Sequence, residues 1–371
     1  MFRLNQINCE KRVRVITLFS IFVLFTIPAL LFCNRTIKAE EADSKNISLH
    51  NNISLHINKP LGNLSPINAL PPNAKQVKIG LYGVNIYDLS IRSNTYHITA
   101  YIWLKWKGDF DPVQSLEFTN LVENWSLTKK LLMDSPKIMP DGSKYQTITI
   151  EGRFFQPFDL RSYPLDKQKL ELFIENPLFN YEDVVFIPDG TDSGYDAGLL
   201  IPGWKIKGLD ADSYLHDYGT NFGETGAAVS KYSLVKFSFA LERHINFFIW
   251  KVMLPLFIVL MTNWVALILK PILIEVRTAM PATALLTTVL MQQAALDAIP
   301  ECSTLVLIDK IYVLAYIFII LTLFQIIWVN IHIDKNSPSS IARMVKIDKV
   351  SFGVQAVGFI ISITLLLWLH H

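Results

Sequence analysis

The stretch Glu275-Val-Arg-Thr-Ala-Met-Pro-Ala-Thr-Ala-Leu-Leu-Thr-Thr-Val-Leu-Met-Gln-Gln-Ala-Ala-Leu-Asp297 decides how this chain is read. It is long enough to cross a bilayer, yet it carries Thr283, Thr287, Thr288, Gln292, Gln293 and Asp297. Polar side chains at membrane depth face a bundle interior or water rather than lipid. At about 100° per residue, Glu275, Ala279, Thr283, Leu286, Leu290, Gln293 and Asp297 share one arc of about 80°. Several copies packed round an axis would line a pore with that arc. Acidic rings at the two mouths select cations, and leucines between them form an apolar constriction that gates by dewetting. Taken alone, Leu286 and Leu290 fit ordinary bundle packing better, and the acids at both ends are what favour a pore. Arg277 stands about 200° from Glu275 on the same wheel and is expected to point away from the axis. Pro281 has no N–H for the carbonyl of Arg277, so the helix is expected either to begin near Met280 or to kink at the proline.

Outward from this stretch, four segments of spanning length lie at 247–269, 278–298, 306–331 and 350–369, within a membrane unit covering 244–371. The first connection carries Lys270 and Arg277, and the third, about 18 residues long, carries Lys335, Arg343, Lys346 and Lys349. The 299–305 loop has Glu301 and no base. The positive-inside rule then puts the first and third loops in the cytoplasm, with 75–243 and the C-terminus outside a cell (inner) membrane.

Upstream, 75–243 alternates apolar and polar residues over short runs broken by Gly, Pro, Asn and Asp, as in 77–87, 96–106, 145–155, 168–174 and 232–241. That pattern predicts an all-β sandwich. Residues 40–74, rich in Asn, Ser and Pro, read as a flexible linker. Residues 1–39, with Arg3, Lys11, Arg12 and Arg14 ahead of the apolar run Val15–Phe32, read as a signal peptide or an uncleaved anchor.

Composition agrees. Of 371 residues, 51% are hydrophobic and 18% charged, against about 25% charged in soluble domains, and the mean hydropathy is +0.31. A formal charge of +2 gives no reason to expect a nucleic-acid partner, while 40–242 is acidic, with 19 basic against 25 acidic residues. Three cysteines offer no disulfide framework. Eight scattered histidines and the absence of His-Glu-x-x-His, paired Cys-x-x-Cys, Gly-x-Ser-x-Gly or a phosphate-binding Gly loop leave an enzyme, a metal site or a cofactor without support.

Over 75–371 the chain resembles the prokaryotic branch of the pentameric ligand-gated ion channels, the Cys-loop receptor superfamily. The resemblance is carried by Gly80-Leu-Tyr82, Tyr101–Trp106, Phe110-Asp-Pro112 and above all Phe158-Asp-Leu-Arg-Ser-Tyr-Pro-Leu-Asp-Lys-Gln168, which is similar to the family's signature loop with Pro164 and Asp166 at its core. Gln156 and Leu170 stand where animal receptors have bridging cysteines. Arg243 precedes Pro255 by twelve residues, Leu286 falls at the gate position, and Ile299-Pro300 followed by Ile308-Asp-Lys310 is similar to the loop that joins the two halves.

The resemblance implies an extracellular immunoglobulin-like β-sandwich followed by a four-helix transmembrane bundle. It also implies a homopentamer of identical subunits among membrane lipids, passing cations, with a small-molecule agonist bound between neighbouring β domains. An aromatic box for a cationic amine is the usual arrangement, and Phe179, Tyr181, Tyr214, Tyr218 and Phe222 are the candidates. The coupling group is Asp88, Pro164, Asp166, Arg243 and Pro300, with Asp166 the expected partner of Arg243 and Asp88 the second choice. Two alternatives stand beside the agonist-gated channel: a non-conducting, membrane-anchored sensor of the same fold, and a channel gated by protons without an organic agonist.

Overall fold

A computed structural model describes residues 62–224, 230–297, 299–300 and 305–369. The expected leader, 1–39, and 40–61 of the expected linker lie outside the described residues. Twelve strands come first among them: β1 (Asn63–Pro66), β2 (Lys75–Ser90), β3 (Thr95–Trp106), β4 (Glu117–Phe118), β5 (Thr128–Leu131), β6 (Lys137–Ile138), β7 (Lys144–Phe155), β8 (Lys167–Glu175), β9 (Val184–Pro188), β10 (Gly194–Tyr195), β11 (Trp204–Asp217) and β12 (Lys231–Arg243). In β3 every second side chain, from Tyr96 through Ile98, Ala100, Ile102 and Leu104 to Trp106, is buried, as the two-residue period of a strand requires.

Two sheets result. One runs β1-β11-β12-β8-β4; the other runs β10-β2-β3-β7-β5, with β6 added to β7 and β9 added parallel to β2. Their inner faces share one core that includes Ile79, Ile98, Ile150, Leu172 and Phe237. Gly80 on β2 gives Trp103 its place: a Cβ there would lie 2.2 Å from the indole, whose Nε1 donates to Asp189 at 3.2 Å.

The end of the expected linker is not a linker. Asn63–Pro66 pairs antiparallel with β11, Leu64 opposite His216 and Pro66 opposite Tyr214. Pairing along an open sheet edge outweighs the turn-rich composition that suggested disorder. β11 itself did not stand out in the sequence, because a register shift between Ile206 and Gly208 and the acids Asp210 and Asp212 interrupt its alternation.

Helices follow β12 after the single residue His244. They are α1 (Ile245–Phe248), continued by a π-helical turn (Ile249–Met253) into α2 (Leu254–Val265), then α3 (Ile274–Leu296), α4 (Leu307–His332) and α5 (Pro338–Leu369). By length and composition α4 and α5 suffice to cross a membrane; the helix Ile249–Val265 is apolar but shorter. One apolar cluster joins Leu256, Leu260 and Trp264 of α2, Ala284 of α3, Ile311 and Phe318 of α4, and Phe359 of α5.

Three expected boundaries change. The first span was expected at 247–269, and its helical part ends at Val265, with Ala266–Ile268 turning back onto Asn263–Val265 through their N–H groups. α3 begins at Ile274, so Pro281 lies inside it rather than at its start. The connection before the fourth span shrinks to 333–337, because α5 begins with Pro338 and carries Arg343, Lys346 and Lys349 on its first turns. Proline suits a first helical turn, where its missing N–H is not needed. A hydropathy window finds the apolar part of such a helix and misses its polar extension.

Candidate functional site

Three arrangements bear on function: the free face of α3, an aromatic cluster at one end of the five-stranded sheet, and the junction between strands and helices.

On α3 the face opposite the expected stripe is spent inside the chain. Arg277, Pro281, Ala284 and Thr288 are buried, and Gln292 donates to Asp309 Oδ1 at 3.2 Å and accepts from the Tyr316 hydroxyl at 2.6 Å, both on α4. Every residue of the stripe, Glu275, Ala279, Thr283, Leu286, Leu290, Gln293 and Asp297, is exposed. Leu286 and Leu290 are each 61% exposed, which no intrachain packing explains. Thr283 turns its hydroxyl back to the carbonyl of Ala279 at 2.9 Å, so that position presents its methyl as well as its oxygen. Arg277 points into the chain, as its place on the wheel led us to expect.

The five candidate aromatics do not form one box. Tyr218 and Phe222 do come together, ring centroids 5.1 Å apart, and Tyr232 and His216 stand 5.8 and 3.9 Å from Tyr218. Phe179 instead packs edge-on against Phe110 at 5.4 Å and against the main core. The Tyr181 hydroxyl donates to the carbonyl of Ala69 at 2.8 Å. Tyr214 lies on β11, not in the Gly-rich stretch that follows it, and the Lys236 ammonium already covers its ring at 4.9 Å.

The residue that sequence reasoning missed is Glu175. It is 1% exposed, accepts the Tyr218 hydroxyl at Oε1 (2.9 Å), and meets His216 Nδ1 at Oε2 (2.7 Å). Burial, and after it the Glu175 charge, push the Tyr218 phenol above its ordinary value, so Tyr218 stays a donor. In the sequence Glu175 follows Leu170, Leu172 and Ile174 on the alternate, outward side of β8, where an acid reads as solvated. Its burial comes from side chains two strands away on β11 and in the loop after it, which no local pattern reports. The cluster therefore offers a carboxylate under aromatic rings, a combination that suits a cation.

At the junction Arg243 and Asp166 meet as expected: Nε to Oδ1 at 2.6 Å and Nη2 to Oδ2 at 3.0 Å, with the Arg243 N–H also donating to the Asp166 carbonyl at 3.3 Å. The guanidinium lies over the rings of Trp204 and Tyr163, 4.0 and 4.9 Å from their centroids. Gln168 Nε2 donates to the same Asp166 carboxylate at 2.6 Å. Pro164 is buried beyond a cis bond to Tyr163. The loop holding these residues caps α4: the carbonyls of Arg161 and Tyr163 accept from Leu307 and Ile308 at 3.1 and 3.2 Å. From the β2–β3 turn, Arg92 reaches the Asp297 carbonyl at 3.5 Å. Asp88 stands apart from the pair, its carboxylate largely exposed and 3.9 Å from His97 Nδ1. Pro300 lies between α3 and α4, beside residues outside the described set.

No family model matches the chain. Among curated proteins it is 24% identical over 218 residues to a proton-gated ion channel of Gloeobacter violaceus, covering 53% of this chain and 58% of that protein. It is 24% identical over 194 residues to the gamma-aminobutyric acid receptor subunit beta-4 of Gallus gallus, covering 52% and 38%. Over 172 residues it is 28% identical to the gamma-aminobutyric acid receptor subunit beta-like of Drosophila melanogaster, covering 46% and 33%. The matched stretches thus span from a third to under three fifths of these relatives' own length.

Proposed function

We propose that this chain, a homologue of the pentameric Cys-loop ligand-gated ion channels, assembles as a homopentamer and passes cations through a pore lined by α3. Its relatives are channels and receptors, not enzymes. The observation that carries the proposal is the division of α3. One face is consumed by its own subunit, and the other, bounded by Glu275 and Asp297, stays open along its whole length. Around a fivefold axis that open face becomes the channel wall, with Leu286 and Leu290 as the dewetting gate. The strand-rich half is then an immunoglobulin-like sandwich outside the membrane, and the helices form a four-helix bundle within it, their C-terminus also outside.

We place the agonist at Glu175, His216, Tyr218, Phe222 and Tyr232. A protonated amine lies against the rings, with the buried Glu175 carboxylate supplying negative potential behind them. The junction of Arg243, Asp166 and the α4 cap transmits the signal. Gating by protons alone is the second reading, favoured by the His216–Glu175 contact at 2.7 Å and by similarity to a proton-gated channel.

Purified protein in planar bilayers, exposed in turn to a series of primary and quaternary amines and to stepped external pH, tests these readings. Current evoked by an amine at constant pH supports the first, and current evoked by acid without amine supports the second. A pentamer silent under every condition would leave the non-conducting sensor.

A further inference from the structure

Arg277 and Asp348 form an ion pair that reaches no solvent: Nη2 lies 2.7 Å from Oδ2, and both side chains are 0% exposed. Nε donates to the carbonyl of Ala266 at 2.9 Å, and Gln325 Nε2 stands 3.4 Å from Asp348 Oδ1. Nη1 has no hydrogen-bond partner among the described residues. The guanidinium therefore ties α3, α5 and the turn after α2, and the Asp348 carboxylate adds α4 through Gln325. Desolvating two charges costs about as much as their attraction returns, so stability alone accounts poorly for such a pair.

Its position is more telling. Arg277 is two residues from Glu275, at the end of α3 where the helix N-terminus already contributes positive potential. An unpaired guanidinium there would oppose the field of the Glu275 ring.

We propose that Asp348 is a positioning residue for ion selectivity: it holds Arg277 inside its own subunit and cancels its charge, leaving Glu275 to set the field at that mouth. This rests on the reading of α3 as the pore helix. The pair also predicts that α5, remote from the stripe, controls permeation through one carboxylate.

The test compares reversal potentials of full-length wild type, Asp348→Asn and the double variant Arg277→Gln/Asp348→Asn in bilayers under a salt gradient. In Asp348→Asn the cation-over-anion permeability ratio should fall by about tenfold, because one uncompensated guanidinium from each subunit adds its screened potential at that mouth. The double variant, with both charges gone, should return to the wild-type ratio. A pair that only held the fold would change assembly or melting temperature and leave the ratio of surviving channels alone. An unchanged ratio in conducting Asp348→Asn overturns the proposal.

Should that variant fail to assemble, a cationic thiosulfonate reagent applied to open channels decides the matter. It should block Glu275→Cys and spare Arg277→Cys made together with Asp348→Asn. Equal block of both overturns the proposal. A wild type that passes no current overturns the pore reading itself, an outcome distinct from either of these.

Discussion

Arg243 is held from three sides, by the Asp166 carboxylate, the Trp204 ring and the Tyr163 ring. Lysine cannot reproduce that arrangement, since it lacks both the planar fork and the flat face. Removing either partner leaves a part-buried charge unpaired, at a cost of about 3–5 kcal/mol where burial is complete. Arg243→Ala and Asp166→Ala should therefore abolish activation or assembly, and the reciprocal swap should recover part of it. Agonist binding measured beside current separates the two: retained binding with lost current marks coupling, and loss of the pentamer marks a structural role.

Asp159, in the same loop, gives a prediction about pH. Its Arg161 partner, bonded to both carboxylate oxygens, holds it below the usual carboxylate range. A depressed folded-state value means that its stabilising contribution is full above about pH 4 and is lost only as pH falls through the lowered value. Asp159→Asn should leave the midpoint of any acid-evoked current between pH 5 and 8 unmoved; a shifted midpoint would make Asp159 a proton sensor. The Arg243–Asp166 pair was legible because the family resemblance puts the turn of Pro164 and its acid at the junction where Arg243 ends the last strand. Glu175 was not, because its partners come from another strand and loop.

Among the elements, α3 is the one whose two faces show most plainly in its pattern. Seven residues chosen by angle alone are all exposed, and the opposite face is buried. Leu286→Ser should ease wetting of the closed constriction and raise resting leak or agonist sensitivity. A variant that assembles and gates like wild type would remove Leu286 from the gate. Glu275→Gln together with Asp297→Asn should lower conductance and move reversal potentials towards anions; unchanged permeability ratios would refute the acidic rings. What the pattern could not reveal about α3 was its beginning. Pro281 left a start near Met280 and a kink both open, yet the helix starts at Ile274 and continues through Pro281, where the lost hydrogen bond is one among many in a 23-residue element packed against α2 and α4. The start of α5 was hidden for a related reason, its first turns being polar where the hydropathy signal is apolar.

At the scale of the whole molecule, the described residues join the strand-rich half to the helical half by two kinds of route. One is non-covalent: the 158–166 loop seated on the start of α4, and Arg92 of the β2–β3 turn at the Asp297 carbonyl. The other is the chain itself, where β12 passes into α1 through His244 alone. A connection of one residue has no slack. It works as a welded joint, so a tilt of β12 must appear as a displacement of the first helix, whereas a flexible tether would dissipate it. Two glycines inserted between Arg243 and His244 should turn the weld into a loose hinge, leaving agonist binding near wild type while evoked current falls sharply. Undiminished current in that insertion variant would assign the whole transmission to the non-covalent contacts, and would make the covalent path a mere anchor.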